Sequence, residues 1–253
     1  MITQQNWTHL EDTFARQKYI IIDNFWLPDI ANQLSNDFPD YNSNVWNATY
    51  QNLIENKRAC NAWDRFPATT YEAFYFLCSR KFEQLINQIT GFTVYSDIGL
   101  HGGGWHCHGP QGFLNLHHDY HIHPKLKLKR QLNIIVYLTK DWNPDWNGAL
   151  ELHSQDKTSI IEKINCMFNR AVIFDTTEPF WHGLPEPLAC PSGVSRNSMA
   201  AYYLTDPSES DLSGRRRALF TASKHQEGDP EVEELIRKRS DEQLSTLVYR
   251  SND

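Results

Sequence analysis

The sequence predicts a mainly β domain, a sandwich or barrel, with helices in front of it and behind it. Three observations carry this. Short apolar runs separated by turn signals crowd the region after Gly91: FTVYSDI, GFLNLHHDY, LNIIVYLTKDW, ALELHS, RAVIFDT and SMAAYYLTD. Six or more strands at such spacing mark an all-β core. Aromatics make up 13% of the 253 residues, with eight Trp, which suits a broad sheet better than a thin helical array. A chain of this length also buries a substantial core.

Ahead of these strands, QNWTHLEDTFARQ reads as a first helix and YIIIDNF as a short β-branched strand. LPDIANQLSNDF reads as a second helix with Pro28 in its first turn, where a missing N–H costs little. Residues 41–66 are rich in Asn and aromatics and show no clear period. TTYEAFYFLCSRKFEQLINQIT has helical periodicity and stops at Gly91. Asn147-Gly148, between YLTKDW and ALELH, is a hairpin turn signal. KLKLKR (125–130) alternates charge with Leu and reads as an edge strand with a solvated face, where lysines deter edge pairing. Beyond Pro207, DPEVEELIRKRSDEQLSTLVYR reads as one or two short helices. The expected layout is one domain over 1–253: a mostly helical part to residue 91, a β core over 92–206, and a helical tail over 207–253.

Formal net charge is -7 and the pI is about 5.9, so nothing suggests general attraction to nucleic acid or an anionic membrane. The run Arg215-Arg216-Arg217 is local and reads as a solvated turn. Five cysteines, an odd number with no CxxC, argue against a disulfide framework and for a reducing compartment. The N-terminus has no signal-peptide apolar run, and no apolar run is long enough to span a bilayer. The expectation is a soluble, cytoplasmic protein of undetermined oligomeric state.

The densest chemistry lies in LNLHHDYHIHP, where four His and one Asp fall within seven positions, His117 to His123. Residues two apart on a strand share a face. Spacing alone therefore leaves three candidate pairs: His117 with Asp119, Asp119 with His121, and His121 with His123. GFLNLHHDY is strand-like up to Asp119, whereas HIHPK runs into Pro124, which ends strands. Rigid ligands belong on the sheet, which favours His117 and Asp119 and turns His118 to the opposite side. A third candidate, His182 in FWHGLPEPL, follows the strand-like RAVIFDT. Two imidazoles and one carboxylate occupy one face of an octahedral ion and leave three positions open, the arrangement of non-haem Fe(II) oxygenases. A structural zinc site would close its fourth position, usually with Cys, and no cysteine is spaced to do so.

Open positions need a co-substrate that helps activate O2. 2-Oxoglutarate chelates iron through its 1-carboxylate and 2-keto oxygen, and its far carboxylate needs a cationic anchor. Arginine suits because its planar fork pairs both carboxylate oxygens. Arg196 opens the run RNSMAAYYLT, fourteen positions after His182, with Ser198 on the same face.

The stretch carrying HHD, YLTKDW followed by NGALEL, FNRAVIF, WHGLPEP and SRNS resembles the Fe(II)/2-oxoglutarate-dependent dioxygenase superfamily in its prolyl-4-hydroxylase-like branch. The resemblance covers about residues 93–206. It implies a double-stranded β-helix, a distorted jelly roll, with flanking helices. It implies that His117, Asp119 and His182 hold iron, and that Arg196 binds the 5-carboxylate of 2-oxoglutarate. It also matches Tyr137 to a tyrosine that hydrogen-bonds that carboxylate. The chain departs from the branch at Gly148-Ala149, where two glycines are common, and in PLACPSG, which lengthens the spacer before Arg196.

The expected activity is an Fe(II)-, 2-oxoglutarate- and O2-dependent hydroxylation of an unactivated C–H bond, of prolyl 4-hydroxylase type or on a small metabolite. Asp119 speaks against a halogenase, which lacks this carboxylate. Two other classes remain. One is a jelly-roll metalloprotein that does not use 2-oxoglutarate, and the other is a binding module on the same fold. Trp105, His106 and His108, beyond the glycine run of HGGGWHCHGP, are candidates for the substrate pocket, and Trp181 for its wall. The substrate itself, peptidyl or small-molecule, is not legible.

Overall fold

Helix α1 (Thr8–Gln17) ends where Lys18 turns left-handed, at φ 62°, and feeds the chain into strand β1 (Tyr19–Ile22). Helix α2 (Pro28–Asp37) has Pro28 at its first position. The helical pattern before Gly91 is two helices, α3 (Ala68–Leu77) and α4 (Arg80–Thr90). Ser79 causes the break. Its backbone is extended and its hydroxyl accepts the Phe82 N–H, so it caps a new helix instead of continuing the old one. Gly91, left-handed at φ 74°, stops α4 as expected. The computed structural model describes residues 1–3, 7–177, 180–213 and 217–241. Arg215, Arg216 and the tail beyond residue 241 lie outside them.

The unassigned segment 41–66 holds a hairpin, β2 (Ala48–Gln51) and β3 (Glu55–Cys60). There follow β4 (Tyr95–Ser96), β5 (Gly104–His108), β6 (Phe113–His118), β7 (Lys129–Tyr137) and β8 (Leu150–His153). Then come β9 (Ile160–Ile164), β10 (Ala171–Asp175), β11 (Trp181–Leu184) and β12 (Arg196–Thr205). The last described elements are α5 (Glu209–Ser213), β13 (Leu219–Phe220) and α6 (Pro230–Ser240). The protein is mainly β. Its strands form a curled antiparallel sheet in the order β1-β10-β7-β12-β5-β3-β6-β11-β8-β9, the expected double-stranded β-helix.

Three local expectations are corrected. β1 and β3 belong to this sheet although they precede residue 92. Asn147-Gly148 is not a hairpin turn, because β7 pairs with β10 and β12 while β8 pairs with β9 and β11. KLKLKR is not an edge strand: 125–128 is a connection, and Lys129 and Arg130 open β7, which is flanked on both sides.

β12 shows how the sheet serves two purposes. Met199, Ala201 and Tyr203 face the main apolar core, packed with Phe14, Trp26, Phe74 and Phe82 of the helical layer. Arg196, Ser198, Ala200 and Tyr202 face the opposite way, into a cleft enclosed by the curl. A strand covered on both faces reads as an unbroken apolar run, hence MAAYYL. At the far end of the cleft, α6 docks Val232 against Phe220 and Ile54, tying the tail to β13 and to the β2–β3 hairpin. Among the described residues, no helix is long and apolar enough to cross a membrane.

Candidate active site

β6 and β11 are antiparallel neighbours with His182 directly opposite His117, and their rings lie 4.3 Å apart between centroids. Asp119 follows the end of β6. Its carboxylate is 3.9 Å from His117 Nε2 and 3.6 Å from His182 Nε2. One ligand atom from each residue lies within 4.8 Å of the others, close enough to share one ion. His117 Nδ1 donates to the Asn115 carbonyl at 3.0 Å, so its Nε2 carries the lone pair that faces the other two. The Asn115 amide in turn donates to Gln226 and to the Thr221 carbonyl.

Electrostatics suit a cation here. Burial pushes the His117 imidazole well below its usual pKa of 6.5, with His182 adding to it, and burial lowers His182 as well. Both rings stay neutral and can donate lone pairs. Burial opposes the charge on Asp119, yet the Arg130 guanidinium outweighs it and holds the carboxyl down at about 2.

Arg130 is the residue that sequence reasoning missed. It is almost wholly buried, with Nη1 3.0 Å from Asp119 Oδ1. Nη2 donates to the His101 carbonyl and to the Tyr120 hydroxyl, each at 2.7 Å. Its guanidinium carbon sits 3.3 Å from the Tyr202 ring centroid and 3.8 Å from that of Tyr120. Asp119 thus meets a cation that is itself held on four sides.

The cleft occupies about 1110 Å³. Arg196 opens β12 on its floor. Its Nε donates to the Gly148 carbonyl at 2.6 Å, and its guanidinium carbon lies 4.8 Å from the Tyr137 ring centroid. Gly148 is left-handed at φ 84°, and a Cβ there would lie 2.8 Å from Leu188 and 3.1 Å from Arg196. The Asn147-Gly148 signal therefore serves the arginine rather than a hairpin. Among the described residues the Tyr137 hydroxyl is buried without a hydrogen-bond partner, and burial, opposed by Arg196, pushes it up to about 12. Among the described residues Arg196 meets no carboxylate. A buried guanidinium beside this phenol offers the donors that a carboxylate would accept. Ser198 shares this face, opposite Tyr137 on β7 and His106 on β5.

The glycine run works through close approach. A Cβ on Gly104 would collide with the Cys60 backbone of β3, so the glycine lets the two strands meet. Strand alternation then sorts its neighbours. His106 and His108 line the cleft, while Trp105 lies in the core against Phe38 and Phe66. Trp181 stacks on His118, centroids 4.3 Å apart, and neither lines the cleft. His121 pairs with Asp211 at 3.1 Å and His123 with Asp97 at 3.4 Å. Alanine at His118, His121 or His123 is expected to change Fe(II) affinity by no more than a few-fold in a metal titration. A 100-fold loss at any of them would move the metal away from His117, Asp119 and His182.

Acid should unfold the metal-free protein by a route visible in these shifts. Burial lowers His101 to about 4 and His106 to about 3, and drives His108 and His117 well below 6.5. The unfolded chain takes up these protons first, so stability is complete above about pH 6.5 and falls as pH drops toward the folded values. Asp119, lowered from 3.8 to about 2, extends the loss below pH 4. The urea midpoint is expected to fall steadily from pH 7 to pH 4. A flat profile would show that these rings are not buried neutral.

Comparison with known proteins agrees with this geometry. Residues 103–204 match the family described as the 2OG-Fe(II) oxygenase superfamily. A Pseudomonas putida prolyl-4-hydroxylase has a similar structure, with TM-score 0.59 and 15% identity, covering 79% of this chain and 100% of that one. A Trichoplax adhaerens prolyl hydroxylase, solved with a hypoxia inducible factor peptide fragment, gives TM-score 0.55 at 18% identity over 83% and 97%. HygX from Streptomyces hygroscopicus, solved with nickel, 2-oxoglutarate and hygromycin B, gives 0.51 at 8% identity over 78% and 87%. No curated protein sequence matches the chain. Residues 103–204 are thus similar to the 2OG-Fe(II) oxygenase superfamily, and the fold is similar to that of prolyl-4-hydroxylases.

Proposed function

We propose that the protein is an Fe(II)- and 2-oxoglutarate-dependent dioxygenase that hydroxylates an unactivated C–H bond and releases succinate and CO2. The observation that carries this reading is the pairing of a three-residue ligand cluster with a separate carboxylate receptor in one cleft. Fe(II) bound with 2-oxoglutarate supplies the oxidising chemistry toward O2. The chain's own residues do the rest. His117 and His182 present neutral nitrogens, and Asp119 presents a carboxylate kept ionised by Arg130. Arg196 and Tyr137 take the far carboxylate of 2-oxoglutarate, with Ser198 beside them on the same face.

Both helical parts support treating the chain as one catalytic unit. The N-terminal helices share the main core with β7 and β12, and α6 helps wall the cleft. The fold neighbours were solved with a peptide fragment and with hygromycin B, so this fold accommodates peptidyl and small-molecule substrates alike.

The test is to mix anaerobic protein with Fe(II), then add 2-oxoglutarate, and record the weak visible charge-transfer band of the chelated keto acid. The expected result is a band in the wild type that weakens in Arg196→Ala. Iron binding with no band overturns the 2-oxoglutarate assignment and favours a jelly-roll metalloprotein of another reaction class. Iron and 2-oxoglutarate binding without turnover favours a binding module.

A further inference from the structure

The cleft carries far more positive charge than the proposed cofactors use. Among the described residues, six Lys and Arg side chains line it against two carboxylates, Glu55 and Asp119. The whole chain has a net charge of -7, so the cleft runs against the protein's overall sign. Fe(II) and the 2-oxoglutarate dianion cancel each other, and Asp119 is matched by Arg130. The excess remains after both have bound.

Much of it is concentrated on β3. Glu55 and Lys57 share the strand face turned to the cleft. Glu55 is divided between two cations: Lys57 Nζ lies 3.5 Å from one oxygen and Arg239 of α6 lies 3.2 Å from the other. Glu55 is thus shared by two cations and is not the sole property of Lys57. The Lys57 side chain is only 14% exposed, its ammonium lies 5.0 Å from the Tyr50 ring centroid, and it donates no hydrogen bond to any described residue. An ammonium this deeply buried, whose carboxylate partner at 3.5 Å is shared with a second cation, keeps donors that a group entering the cleft can engage. On the neighbouring strand β5, His108 is 2% exposed and neither ring nitrogen has a partner among the described residues. β5, which carries His106 and His108, pairs directly with β3, and both side chains line the cleft together with that of Lys57.

We propose that the substrate is a small carboxylic acid whose carboxylate pairs with Lys57, with Glu55 and Arg239 holding that lysine in place. The inference rests on the dioxygenase reading above and names the substrate class of the same site. Depth decides between sources of negative charge. An ammonium 14% exposed inside a cleft is reached by the end of a small molecule, whereas the charges along an acidic protein surface or a nucleic-acid backbone stay at its mouth. His108, neutral and able both to donate and to accept, suits a second polar group on the same molecule.

The experiment uses the full chain loaded with Fe(II) and 2-oxoglutarate, and a panel of free L-amino acids and other small carboxylic acids, each paired with its primary amide. Binding is read by thermal shift under anaerobic conditions, and succinate release is read in air. The expected result is that at least one acid binds and stimulates succinate release, while its amide binds about 10- to 100-fold more weakly. Lys57→Met should erase the difference between acid and amide, and Lys57→Arg should restore part of it. A panel in which no acid outperforms its amide overturns the proposal, whether both bind or neither does. So does an acid preference that survives in Lys57→Met, or stimulation by an acidic peptide alone. The acid–amide comparison needs no variant, so a misfolded Lys57→Met leaves it decisive. Absence of the wild-type charge-transfer band fails the dioxygenase reading. A normal band without acid preference fails only this one.

Discussion

Asp119→Ala is expected to abolish succinate formation and, separately, to destabilise the metal-free protein. Loss of activity follows from removing the only carboxylate in the three-residue cluster. Loss of stability follows from Arg130, whose Nη1 pairs with Asp119 Oδ1 at 3.0 Å while the side chain is almost fully buried. Removing one partner of a buried ion pair leaves the other charge uncompensated, at a cost of about 3–5 kcal/mol. The two aromatic faces and the His101 carbonyl soften this cost without cancelling it. Asp119→Asn separates the effects. It keeps a polar contact to Arg130, should recover part of the stability, and should remain inactive. Denaturant melts of the metal-free variants and succinate assays of the loaded ones check both. Full activity in Asp119→Ala, or in alanine variants of His117 or His182, would sink the ligand assignment.

The second large effect is at the far end of the cleft. Arg196→Ala is expected to raise the KM for 2-oxoglutarate about 100-fold or more, since truncating one partner of a desolvated charge pair costs about 2–5 kcal/mol. Iron affinity should change little, because Arg196 touches none of the three candidate ligands. Arg196→Lys keeps the charge but loses the planar fork and the Nε bond to Gly148, so it should fall in between. Tyr137→Phe removes a hydroxyl that has no hydrogen-bond partner among the described residues and should raise the same KM by a smaller factor. An unchanged KM in Arg196→Ala would show that the cationic floor serves something other than 2-oxoglutarate.

How far such sites are legible in a sequence depends on what signals them. His117 and Asp119 were legible because strand period and the nearby Pro124 favoured one pair out of three. Arg196 was legible as a candidate anchor because it opens a strand-like run in the order His-x-Asp, His, Arg-x-Ser. Arg130 was not, because KLKLKR looks the same whether its last arginine meets water or a carboxylate. What buries it is the meeting of Tyr120, Tyr202 and Asp119, which strand pairing brings together and the local pattern does not show. The β2–β3 hairpin was lost for a related reason. β3 turns Glu55 and Lys57 inward to the cleft, so the usual rule of apolar side chains inside fails on a strand that builds a polar site. The helix break at Ser79 was missed because the hydrophobic period runs across it, and only the cap shows that the backbone does not.

The stacking of Phe220 on His117, with centroids 5.2 Å apart and planes at 14°, bears on the order in which the site is completed. Arg239 of α6 covers that same phenyl ring and also reaches Glu55. All three candidate ligands leave the ribosome well before β13 and α6 do. A nascent chain ending at residue 213 therefore contains the ligand cluster but not the ring that backs His117 or the guanidinium that helps orient Lys57. The ligand cluster and the cleft wall around it are thus completed at different moments of synthesis, and α6, the last of the described helices, is among the parts that close the wall.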